Sequence, residues 1–114
     1  MEAMTLRKQG SAVIVALSGE ITLEISSELK KTLDPALDGG NFTNLVVDLS
    51  SVTFMDSSGI GFLVALNTKI MGAGNTMYLL KPSEQVRKTF ELVQLNTFFK
   101  ILDTDEELEA LLTE

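Results

Sequence analysis

Residues 45–64 read LVVDLSSVTFMDSSGIGFLV, and the change of period inside this stretch decides the fold. The run LVVDL, Leu45 to Leu49, is nearly continuous in apolar residues and reads as a buried strand. A short loop follows it. From about Ser58 the segment SGIGFLVALNTKIM reads as a helix, ended by the glycines at 72 and 74. A strand that passes so quickly into a helix is the first half of a parallel crossover unit.

Working outward, the same alternation repeats. MTLRKQ and AVIVALS read as two strands joined by a tight turn at Gly10–Ser11. The first alternates like an edge strand; the second is apolar on both faces, like a central one. TLEISSELKKTLDPAL carries Ile25, Leu29, Leu33 and Leu37 at helical spacing, with Thr22 as candidate N-cap. Pro35 is expected to kink or restart that helix, because it removes a hydrogen bond to the residue four back. Beyond the central stretch, TMYLL reads as a strand and SEQVRKTFELV as a helix with Val86, Phe90 and Val93 on one face. FFKIL reads as a short last strand. TDEELEALL opens with Thr104 and Glu107 at capping-box spacing and is the final helix. The order β-β-α-β-α-β-α-β-α gives an α/β fold of about five strands and four helices. Its sheet is mixed but mostly parallel, with right-handed crossovers.

Composition removes most enzyme chemistries. The 114 residues suit one domain, residues 1–114, with a single core. There is no Cys and no His, so disulfides, thiolate metal sites and Ser-His or Cys-His nucleophile pairs are excluded together. That fits a reducing, cytoplasmic setting. The N-terminal residues have no apolar core of a secretory signal, and no apolar run approaches the roughly 20 residues that span a bilayer. The net charge is −7. Asp103, Asp105, Glu106, Glu107, Glu109 and Glu114 supply six of those charges, which reads as a solvated acidic helix face or an acidic docking surface. A chain without a basic cluster has little to offer a phosphate backbone, so direct nucleic-acid binding is not expected.

The strand-to-helix junction is where open α/β sheets place their sites. Asp56, Ser57 and Ser58 are three candidate caps in a row before Gly59. Capping needs one of them, and the surplus hydroxyl is left without a role. On the following helix, at about 100° per residue, the bulky residues Phe62, Leu63, Val64, Leu66, Ile70 and Met71 span one broad arc, with Ile60 near its edge. The opposite arc holds Gly61, Ala65, Thr68, Lys69 and Gly72. A solvated face would ordinarily carry Glu, Lys and Arg, and Gly61 costs about 1 kcal/mol of helix propensity relative to Ala. So small a strip suits the close approach of another surface, either within the chain or from a partner. Asn67 falls inside the apolar arc, and nothing in the sequence explains it.

Enzyme signatures fail. Gly59 and Gly61 lack the third glycine of a dinucleotide fingerprint, no Walker pattern is present, and Ser57 and Ser58 stand in no G-x-S-x-G elbow. SELK at Ser27–Lys30 lacks the companion motifs of a serine–lysine enzyme. Asp48 and Asp56 are explained by strand-end and capping roles.

The stretch Leu45–Val64 resembles the signature of the STAS domain, in particular that of the bacterial anti-sigma factor antagonists. The likeness extends through VALSGEIT and through GNTMYLLKPSEQVRKTFELVQLNTFFKILDTDEEL. The resemblance implies a switch protein rather than an enzyme. Its unmodified form would bind an anti-sigma factor that is also a serine kinase, and so free a sigma factor. The kinase would phosphorylate Ser57, with Ser58 the second candidate, and a PP2C-type phosphatase would reverse it. Glu20, Thr22, Asp56, Ser58, Gly59, Ile60, Gly61 and Ala65 would form the partner contact; the family carries Asp where this chain has Thr22. No cofactor is implied, ATP being bound by the partner kinase, and the chain is expected to be monomeric alone. The resemblance also admits a partner-switching regulator of a non-transcriptional process, or a STAS subunit of a lipid or anion transport complex.

Overall fold

Four strand pairings, one antiparallel and three parallel, make a single sheet with β3, which spans Asn44–Met55, at its centre. The computed structural model describes residues 4–38 and 40–113. β1 (Met4–Gln9) and β2 (Ala12–Ile21) form the expected opening hairpin, antiparallel with Leu6 opposite Val15. β2, β3, β4 (Thr76–Leu80) and β5 (Lys100–Leu102) are mutually parallel, and the sheet order is β1-β2-β3-β4-β5.

Because the parallel strands are laid down in one direction, right-handed crossovers put every connecting helix on the same face. These helices are α1 (Leu23–Leu37), α2 (Ser57–Gly72) and α3 (Glu84–Leu92). The main core follows from the two-residue period of the strands. Val13, Val15 and Leu17 of β2 and Leu45, Val47 and Leu49 of β3 meet Leu29, Leu33, Leu63, Leu66, Ile70, Val86 and Phe90 from the helices. The alternate residues Ile14 and Val46, with Leu80 and Leu102, face the other way. There they are covered by Leu108 and Leu111 of α4 (Asp105–Leu112). α4 is capped as its sequence predicts, the Thr104 hydroxyl accepting from the Glu107 N–H at 3.1 Å.

Four local expectations change. β3 does not stop at Leu49; it continues to Met55, and Ser50–Met55 lie alongside Ser18–Ile21 beyond the reach of β4. The polar SSVT segment reads as loop because its outer face is solvated, yet Val52 and Met55 still enter the core. α1 runs unbroken through Pro35: the proline lies in the last turn, where only one hydrogen bond is lost, and the Asp38 N–H still reaches the Asp34 carbonyl at 3.0 Å. α3 ends at Leu92, so Val93 is a half-exposed C-cap residue rather than a third core position. Of FFKIL only Lys100–Leu102 form the strand; Phe99 instead packs its ring 5.3 Å from that of Phe90.

The acidic C-terminal segment is solvated, with Asp103, Asp105, Glu106, Glu107 and Glu109 all exposed, and two of its carboxylates are paired. Lys81 Nζ lies 2.8 Å from Asp105, which raises the lysine pKa, and Arg87 pairs with Asp103. These contacts join the start of α4 to Lys81, just after β4, and to Arg87 on α3. The core assignment makes a direct prediction. Phe90→Ala should cost about 3–5 kcal/mol in urea unfolding, whereas Val93→Ala should stay within about 0.5 kcal/mol of wild type.

Candidate functional site: the junction of β3 and α2

The last rung between β2 and β3 is made by the Asp56 N–H, which donates to the Ile21 carbonyl at 3.2 Å. Asp56 then turns the chain into α2. Its Oδ1 accepts from the Ser58 N–H at 2.9 Å and from the Gly59 N–H at 3.1 Å. Capping is therefore done by the carboxylate alone. Among the described residues neither the Ser57 nor the Ser58 hydroxyl makes a hydrogen bond to the protein; Ser57 is exposed and Ser58 half-buried. Two hydroxyls, rather than one, are surplus to the fold.

The remaining candidates divide by direction. Gly59 is buried, and a Cβ on it would lie 2.5 Å from Met55 Cγ and 2.8 Å from the Ile21 carbonyl oxygen. Glycine here lets α2 rest on the end of β2. Ile60 likewise turns into the core. Gly61 and Ala65 face outward, and a Cβ on Gly61 would meet nothing within 4 Å. The small strip on α2 is thus not filled by this chain near Ser57. Further along, Lys69 leaves it to reach α1. Asp38 at 2.9 Å and Asp34 at 3.4 Å hold its ammonium, with the Asp38 hydrogen bond the main cause of a raised pKa.

The strand pairing brings Glu20 opposite Phe54, so Glu20 stands beside the junction and is exposed. Thr22, half-buried, occupies the cap position of α1, but its side chain makes no capping bond. Two apolar residues that the sequence did not single out flank this pair: Leu23 is 67% exposed and Phe54 41%. Leu23 falls outside the spacing of Leu29, Leu33 and Leu37, the one signal that it faces water. The surface therefore combines two free hydroxyls, two carboxylates, a smooth helix strip and two exposed apolar side chains.

Chemically, this arrangement lacks the parts of a reaction centre. Among the described residues no group of three or more acidic, His or Cys side chains could hold a metal, and no helix is long and apolar enough to cross a membrane. It can present a hydroxyl for modification and a contoured surface for contact.

The profile of the STAS domain matches residues 3–108. The chain belongs to the STAS domain family. The "Anti-sigma F factor antagonist" of Paenibacillus polymyxa is 30% identical over 100 residues, covering 87% of this chain and 83% of that protein. The protein of the same description from Lysinibacillus sphaericus is 27% identical over 95 residues, or 83% and 80% of the two chains. Among solved structures, the anti-sigma factor antagonist SpoIIAA in its unphosphorylated form has a TM-score of 0.80 at 23% identity, covering 98% of each chain. The Bacillus cell fate determinant SpoIIAA in the phosphorylated form gives 0.73, also at 23% identity, over 96% of this chain and 99% of that one. These likenesses bear out the five-stranded α/β architecture of this STAS domain.

The two glycines of the junction should respond oppositely in urea unfolding. Gly59→Ala should destabilise the domain by about 1–3 kcal/mol through overpacking against Ile21 and Met55. Gly61→Ala should stabilise it by up to about 1 kcal/mol through helix propensity alone.

Proposed function

We propose that this STAS domain is an anti-sigma factor antagonist of the partner-switching type. Unmodified, it binds an anti-sigma factor that is also a serine kinase, and the kinase, with ATP on its own surface, switches the contact off by phosphorylating Ser57. A PP2C-type phosphatase restores it. The setting is cytoplasmic, and the domain acts by binding rather than by catalysis. The observation that carries the reading is the exposed Ser57 hydroxyl, free of structural duty, at the head of α2 beside an unfilled small-residue strip. The names of its curated relatives point the same way.

The docking face consists of Ser57, Ser58, Asp56, Gly61 and Ala65, with Glu20 and Thr22 from the neighbouring strand end. Gly59 and Ile60 contribute by shaping the backbone beneath it. Leu23 and Phe54 add apolar contact at its edge, of the kind that supplies binding energy once desolvated.

The charge arithmetic explains the switch. A phosphoserine carries about −1.5 to −2 charges at pH 7. The N–H groups of Ser58 and Gly59 are already taken by Asp56, so a phosphate on Ser57 adds its charge next to a carboxylate. A partner surface fitted to a neutral hydroxyl must then desolvate both. A 100-fold loss of affinity requires only about 2.7 kcal/mol, which local charge and bulk supply without refolding.

Incubation with ATP and candidate serine kinases from the same genome, followed by phosphosite mapping, tests the acceptor. Phosphate is expected on Ser57, and phosphate found only outside residues 57 and 58 would reject the assignment. With the cognate kinase in hand, Ser57→Asp should bind about 100-fold more weakly than wild type, while Ser57→Ala binds normally and never switches off. Wild-type affinity in Ser57→Asp would remove the charge-block mechanism.

A further inference from the structure

A cavity of about 340 Å³ lies at the opposite end of α2 from Ser57. Asn67 is ten residues on from Ser57, or about 15 Å along the helix axis. The volume is in the range of small-molecule sites. Met71, Met77 and Phe98 give it apolar walls, and Asn67, Asn75 and Lys100 give it polar groups. Two of the apolar residues also stand out from the surface, Met71 at 63% exposure and Phe98 at 47%.

Asn67 is the residue that the fold does not explain. It occupies a core-facing position of α2 and is only 8% exposed. Burying a carboxamide is unfavourable unless its polar atoms are paired. Here the amide nitrogen finds the Met71 thioether at 3.5 Å, a weak acceptor, while the carbonyl oxygen has no protein partner among the described residues and is not sealed from solvent, so it opens on the cavity. The side chain is held, underused, at the wall of a cavity.

The charge of the cavity runs against that of the chain. With 16 acidic residues to nine basic ones overall, the lining contains Lys100 and, among the described residues, no carboxylate. Lys100, like Arg7, Lys8, Lys30 and Lys31, forms no ion pair among them, and of these five it is the one that lines this cavity. A cation, two carboxamides and apolar walls converging on one space match a particular ligand chemistry. We propose that this cavity binds a small apolar carboxylate: its anionic group is taken by Lys100 and the Asn67 amide, and its flat or aliphatic body lies between Met71, Met77 and Phe98.

The test is an NMR titration of the isotopically labelled full chain with benzoate, using benzamide and benzylamine as uncharged and charge-reversed controls. Benzoate should shift the Asn67 side-chain amide and the backbone amides of residues 74–77 saturably. Benzamide should bind about tenfold more weakly and benzylamine not at all. Asn67→Leu and Lys100→Gln should each weaken benzoate about tenfold or more, and Asn67→Leu should melt at or above the wild-type temperature. No saturable shift with benzoate, equal response to benzylamine, or shifts unchanged in both variants would overturn the proposal. So would an Asn67→Leu domain that melts several degrees lower, since Asn67 would then belong to the fold.

Discussion

The end of β2 and the start of α2 touch through backbone, and much of the site's geometry follows from that contact. The Asp56 N–H binds the Ile21 carbonyl, and Gly59 passes so close to the same carbonyl that a side chain would not fit. The Asp56 carboxylate then fixes the first turn of α2 by taking two of its N–H groups. Helix and strand are thereby locked at one angle, with Ile60 driven inward and Ser57 and Gly61 left outside. Glu20 and Thr22 come to the same surface because the strand that carries them is the one pressed against the helix.

The strong periodicities were legible in the sequence. Leu45–Leu49, the α2 helix and the capping of α4 by Thr104 all carry signals set by local chemistry and burial. The failures have two physical causes, pairing across the sheet that local polarity hides and the position of helix ends. Ser50 to Met55 look like loop because an outlying strand paired on one side keeps its polar face. Pro35 looks like a break because it lacks a helical N–H, but a single missing bond two residues before the helix ends at Leu37 leaves the last turn in place. Val93 fits the helical stripe, but the helix has ended before the stripe matters.

The candidate site was legible in part. The position of Asp56-Ser57-Ser58 at a strand-to-helix junction follows from period alone, and the division of labour among the three does not. Only the geometry shows the carboxylate capping while both hydroxyls stay free. Leu23 and Phe54 were invisible as surface residues because hydrophobicity ordinarily signals burial. Asn67 was visible only as an anomaly, and its neighbours in the cavity come from β4, the approach to β5 and the end of α2, segments that sequence spacing does not relate.

Three helices share one side of the sheet, and the eight-residue α4 covers the other side through Leu108 and Leu111. So small a cover, paired at its beginning with Lys81 and Arg87, shields the second core with few apolar contacts, and few such contacts make a segment cheap to open. Such opening would wet Ile14 and Val46 while leaving the Ser57 side intact. The domain thus sets the head of α2 and the α4 cover on opposite sides of one sheet, so a change that exposes Ile14 and Val46 leaves the packing beneath Ser57 in place.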